Sequence, residues 1–164
     1  MKDLLIYYIN LLKHLNMNDK YYTPNIDEFH VGFEFEFNGS DCNWNRTGFE
    51  KQVILPTKDE YFDLFTLGWV QRIYYKPDDP LENWIRVKYL DKSDIEDLGF
   101  NSNLELKQHY YKDKYEIAYR EDSHYTQVWY DPKLKGAMLI FDGYIKNISE
   151  LKVLLKQLGI DVNV

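Results

Sequence analysis

Nine residues, Phe29 to Phe37, constrain this chain more than any others. Phe29, Val31, Phe33, Phe35 and Phe37 occupy every second position, and His30, Gly32, Glu34 and Glu36 fill the positions between. Side chains alternate across an extended strand, so the spacing predicts a β-strand with one aromatic face and one polar face. Antiparallel sheets with one face on a core produce this pattern, whereas strands buried on both faces read as continuous apolar runs. Asn38-Gly39-Ser40-Asp41 supplies the turn that ends it.

The rest of the chain extends the same theme. Strands are predicted at Lys51 to Leu55, Trp84 to Leu90, Leu106 to Tyr111, Tyr115 to Arg120, Thr126 to Tyr130 and Ala137 to Phe141, with Trp69 to Tyr75 extended. Lys112-Asp113-Lys114 and the segment Asp131 to Gly136 read as hairpin connections, and Lys76 to Pro80 as a loop. Leu4, Tyr8, Leu11 and Leu15 recur at helical spacing and predict an amphipathic helix over 3–15, joined by a polar connector. Thr57 and Glu60 are spaced as a capping box for a helix through Leu67. Ser93 to Leu98 reads as one or two helical turns ended by Gly99. Asn147, Glu150 and the stripe Ile148, Leu151, Leu155 and Leu158 predict a capped closing helix that Gly159 stops.

These elements predict an α+β fold: one domain over 1–164, with a mainly antiparallel, twisted sheet of about six to eight strands. N- and C-terminal helices pack on the sheet, and the first, 1–16, is semi-detached. At 164 residues such a domain buries about two-thirds of its unfolded surface and needs no covalent staple. The single cysteine, Cys42, excludes an internal disulfide and multi-cysteine zinc sites. Asn10 and Lys13 break the apolar start, which argues against a signal peptide, and no run is long enough to span a bilayer. The reading is a cytoplasmic protein without a membrane partner, in which the three N-x-S/T sequons are chance matches.

Three features bear on function. His30, Glu34 and Glu36 share the polar face of the Phe-rich strand at spacings of four and two residues, alternate positions lying about 7 Å apart. A histidine with two carboxylates could ligate a cation or exchange protons, the basis for a metal-dependent hydrolase. The plainer alternative is the wet face of a half-buried strand, and it is the one favoured here. Second, Tyr110, Tyr111, Lys112, Lys114 and Tyr119, with Trp129 on a later strand, interleave cations and rings as single-stranded nucleic-acid platforms do. A net charge of −7 opposes that use, because phosphate binding needs clustered Lys and Arg. Third, 15 Tyr, 9 Phe and 4 Trp exceed what one core absorbs, and adjacent pairs such as Tyr110-Tyr111 and Trp129-Tyr130 must send one ring to each face of a strand. Rings left off the core suit a protein interface, or equally a sheet covered on both faces, by the terminal helices on one and by loops on the other.

Catalytic signatures are missing: there is no P-loop, GxGxxG, GxSxG or HExxH. No cofactor is implied. The segments FHVGFEFEF (29–37), WIRVKYLDKSDIEDLGF (84–100) and ISELKVLLKQLGI (148–160) resemble small uncharacterised proteins encoded by phages and prophages of gut Bacteroidetes. The resemblance implies a setting, the bacterial cytoplasm, and a small accessory role. It carries no site residues. The favoured reading is a non-catalytic module whose partner is a host or phage protein or a second copy of itself.

Overall fold

The structure is a computed structural model and describes residues 20–38, 48–54, 83–103, 106–132 and 136–162. The helices expected at 3–15 and 57–67, the extended run 69–75, the loop 76–80, His14 and Cys42 lie outside the described residues. The chain divides into two compact units, Met1–Tyr89 and Leu90–Val164.

In the first unit, β1 (Tyr21–Tyr22), β2 (Glu34–Phe37), β3 (Glu50–Val53) and β4 (Ile85–Lys88) form an antiparallel sheet in the order β1-β4-β2-β3. The expected nine-residue strand is shorter than its alternation suggests. His30 to Phe33 form a tight turn in which Phe33 N–H donates to His30 O at 2.9 Å, and Gly32 takes φ +86°. Glycine reaches that left-handed conformation without penalty, and a type II turn needs it at its third position. The turn leaves Val31 exposed while Phe29 and Phe33 stay buried with Phe35, Ile54, Trp84, Ile85 and Val87. An alternating pattern thus continues through a turn because both ends are anchored by phenylalanine.

The second unit is a five-stranded antiparallel meander: β5 (Asn101–Ser102), β6 (His109–Lys112), β7 (Tyr115–Arg120), β8 (Tyr125–Tyr130) and β9 (Met138–Tyr144), neighbours in that order. Two helices accompany it, α1 (Lys92–Asp97) and α2 (Ile148–Gln157). Asp91 and Asp94 cap α1 reciprocally, each side chain accepting the other's backbone N–H at 3.1 Å. Asn147 Oδ1 accepts Glu150 N–H at 2.9 Å at the start of α2. The expected capping box is altered there: Glu150 reaches back one residue further and accepts Lys146 N–H at 2.7 Å. At the other end Gly159 takes φ +70°, Gly159 N–H donates to Lys156 O and Ile160 N–H to Leu155 O. This double closure satisfies carbonyls that the ending helix orphans, and it folds Ile160 into the core.

One core serves the unit. Ile95 from α1, Leu98 at its C-cap, and Leu151 and Leu155 from α2 pack with Tyr110, Ile117, Tyr119 and Val128 of the sheet. Where the sequence predicts one sheet of about six to eight strands, the described residues form two, of four and five. Alternation marks a strand and its faces, but its partners are chosen by distant segments. The segment at 84–88 pairs back with β1 and β2, and a helix intervenes before the meander begins.

Tyr119 is fully buried in that core, with 0% of its surface exposed. Its hydroxyl donates to Leu90 O at 2.6 Å and accepts from His124 Nδ1 at 3.1 Å. Burial above all, helped by the charges of Glu121, Asp91 and Asp94, raises its pKa well above the usual 10.0. The folded state therefore keeps a proton that the unfolded chain surrenders, so this stability is complete below pH 10 and is lost as pH rises beyond it. Replacing Tyr119→Phe should cost about 1–2 kcal/mol at neutral pH by orphaning the Leu90 carbonyl. It should also flatten the decline above pH 10 by up to about 1.4 kcal/mol per pH unit. Urea unfolding at pH 7 to 11 checks both.

Candidate functional site

The polar face of β2 holds ion pairs. Glu34 is buried and pairs with Lys51 on β3. Glu36 Oε2 accepts from Arg86 Nε on β4 at 2.6 Å, and Tyr21 OH donates to Glu36 Oε1 at 3.3 Å. The Arg86 guanidinium lies 3.9 Å from the ring centres of both Tyr21 and Phe49. His30 sits in the turn ahead of β2, its Nδ1 donating to Val31 O at 2.9 Å and its ring edge-on to Phe33. The predicted trio therefore does not converge: the turn at Gly32 removes His30 from the strand, and both carboxylates face cations. Among the described residues no three His, Cys, Asp or Glu side chains gather in a set that could hold a metal ion.

The tyrosine-rich hairpin divides between two faces. Register places Tyr110, Ile117, Val128 and Phe141 in one row across the sheet and Tyr111, Glu116, Trp129 and Leu139 in the next. The first row meets the helices. Tyr110 and Tyr119 are thus core residues and offer no surface, a correction to their expected role. Lys112 is also turned inward, its Nζ donating to Leu98 O at 3.0 Å and Asp161 O at 2.7 Å. It ties the end of α1 to the C-terminal segment. Lys114 is exposed in the β6–β7 turn, next to Asp113 with φ 54°. Only Tyr111 and Trp129 of the six residues reach the second face of the sheet.

That second face is the candidate site. Its rows are Tyr111, Glu116, Trp129 and Leu139; His109, Ala118, Gln127 and Asp142; and Arg120, Tyr125 and Tyr144. Glu116 is buried among these neighbours and bonds His109 Nδ1. Tyr111 is half-buried; burial, the largest effect, raises its hydroxyl pKa, while a hydrogen bond from Asn103 acts in the opposite direction. Asp142 accepts from Tyr125 OH and from Gln127 Nε2 at 3.4 Å. The bond to Asp142 is the main cause that raises the Tyr125 pKa. Tyr144 packs edge-on to Tyr125, ring centres 5.6 Å apart, and keeps 70% of its surface exposed.

No family model, curated protein or solved structure matches this chain. Chemistry at the face then carries the functional reading. Half-buried rings, an exposed leucine and side chains already fixed by mutual hydrogen bonds make a firm, amphipathic surface with small ordering cost on binding. The Tyr125 hydroxyl on it has a carboxylate beside it, that of Asp142, to which it donates. Arg120 is the one arginine or lysine in these rows, too little positive charge for a phosphate track. Tyr125, Gln127, Leu139, Asp142 and Tyr144 were not singled out from the sequence; the parity that makes Trp129 outward marks Tyr125 and Gln127 in the same way.

Glu116 supplies a direct test of how this face is held. His109→Ala leaves a buried carboxylate without that partner and should cost about 1–3 kcal/mol. Adding Glu116→Gln to His109→Ala should recover part of the loss, so the two changes are strongly non-additive in urea unfolding.

Proposed function

We propose that this protein is a non-catalytic binding module and that a protein partner seats on the second face of the five-stranded sheet. One observation carries the reading: both helices and the core occupy one side, while Tyr111, Trp129, Tyr125, Leu139 and Tyr144 stand on the other. Contiguous aromatic and apolar groups on a rigid surface, rimmed by Arg120, Asp142 and Gln127, have the anatomy of an interface centre and rim. The resemblance at 29–37, 84–100 and 148–160 supports a phage or prophage accessory protein acting in the bacterial cytoplasm, with a host or phage protein as partner. The amphipathic pattern at 3–15 would add a second, semi-detached contact. Among the described residues no helix is long and apolar enough to cross a membrane.

Affinity capture from bacterial lysate, with quantitation of any protein bound, checks this reading. Trp129→Ala and Leu139→Glu should each reduce capture of that protein by at least about tenfold, as central interface residues do. Circular dichroism should show both variants folded. Capture that ignores both changes would place the interface elsewhere, and no capture by the wild type would remove the reading.

A further inference from the structure

Strand β9 ends the meander, and three of the unit's exposed large apolar side chains are on it: Met138 at 58%, Leu139 at 39% and Tyr144 at 70%. It carries neither proline nor lysine, the residues that commonly guard sheet edges. Its backbone directions follow from the ladder. Ile145 N–H donates to His124 O at 3.0 Å, and antiparallel pairs alternate between bonded and non-bonded. Gly143 and Phe141 therefore turn their amides and carbonyls toward β8, and Asp142 and Tyr144 turn theirs outward.

We propose that β9 pairs antiparallel with β9 of a second copy of this chain, across a two-fold axis at Gly143. This deepens the protein-binding reading by naming one partner and the edge it uses. The register is the one the chain itself favours. Centring on Gly143 sets Asp142 opposite Tyr144 of the second copy, and the outward amide and carbonyl of each bond the other. Gly143 faces its counterpart in the close, non-bonded position, where two hydrogens meet instead of two side chains. A Cβ there would meet the tip of the Phe141 ring at 2.9 Å, so any larger residue would have to displace that ring. A shift that centred on Asp142 would set two carboxylates opposite each other. In the Gly143 register Asp142 instead reaches diagonally toward the exposed Lys146 of the second copy, giving two matched charge pairs about the axis. The irregularity at Ile140 falls outside the paired segment.

Sedimentation of the full-length protein from low micromolar to about 1 mM tests this. The wild type should dimerise, more weakly as salt rises. Lys146→Glu should raise the dissociation constant by about tenfold or more, and Asp142→Lys with Lys146→Glu should restore it by reversing both charges. Tyr144→Pro removes an outward amide at a sheet edge and should abolish the dimer while the circular dichroism spectrum is kept. A monomer at the highest concentration overturns the proposal, as does a dimer indifferent to Lys146→Glu and Tyr144→Pro. Neither result touches capture through Trp129, so the two readings fail separately.

Discussion

Strand β7 has a neighbour on each side, and its alternation sorts the whole second unit. Ile117 and Tyr119 point one way and are fully buried; Glu116, Ala118 and Arg120 point the other. Every residue paired with them inherits the same division, because the cross-strand register leaves no freedom to choose a face. Sliding β7 by one position would drive Glu116 and Arg120 against α1 and α2 and expose Ile117 and Tyr119. The apolar demand of one face therefore fixes, without further specification, which rings are left on the other.

A fixed register also explains the polar groups in buried positions. The Leu90 carbonyl faces the core, and Tyr119 brings a hydroxyl to it at 2.6 Å. His124 donates to the same hydroxyl from the β7–β8 turn, where it takes φ 56°. The backbone strain of a non-glycine residue at positive φ is offset there by fixed partners, as its own carbonyl accepts from Ile145 N–H. Lys112 plays the equivalent part at the other end, spanning two carbonyls. Tyr119 and Lys112 both have long side chains whose stems pack while the polar tip reaches a backbone carbonyl.

Much of the fold was legible because local signals were strong. The hairpin at Asp113-Lys114, the cap at Asn147 and the stop at Gly159 each follow from a short-range preference that packing did not overturn. The site was legible only in part. Trp129 stands on the open face, but Tyr110, Lys112 and Tyr119 were grouped with it by composition, although parity along β6 and β7 separates them from Tyr111 and Glu116. In the first unit the limit was different. Nothing in FHVGFEFEF reveals that its glycine adopts φ +86°, since the same alternation fits an unbroken strand. Lys51 and Arg86, which answer Glu34 and Glu36, come from strands 17 and 50 residues away, beyond any local pattern.

The apolar run Met138-Leu139-Ile140-Phe141 shows what one inserted residue does to a surface. Phe141 lies opposite Val128, yet Leu139 lies opposite Trp129, so Ile140 is an extra residue in β9. In a regular ladder Ile140 would face outward beside Trp129 and Leu139 would point at the core. The bulge lets Ile140 and Phe141, consecutive in sequence, both pack against the core, and it moves Leu139 to the open face. A continuous apolar run carries no period, so neither the bulge nor the patch it creates can be read from those four letters. The same irregularity confines regular edge geometry to Phe141 through Tyr144. It leaves Asp142 and Tyr144 as the two residues whose outward amides a further strand can use.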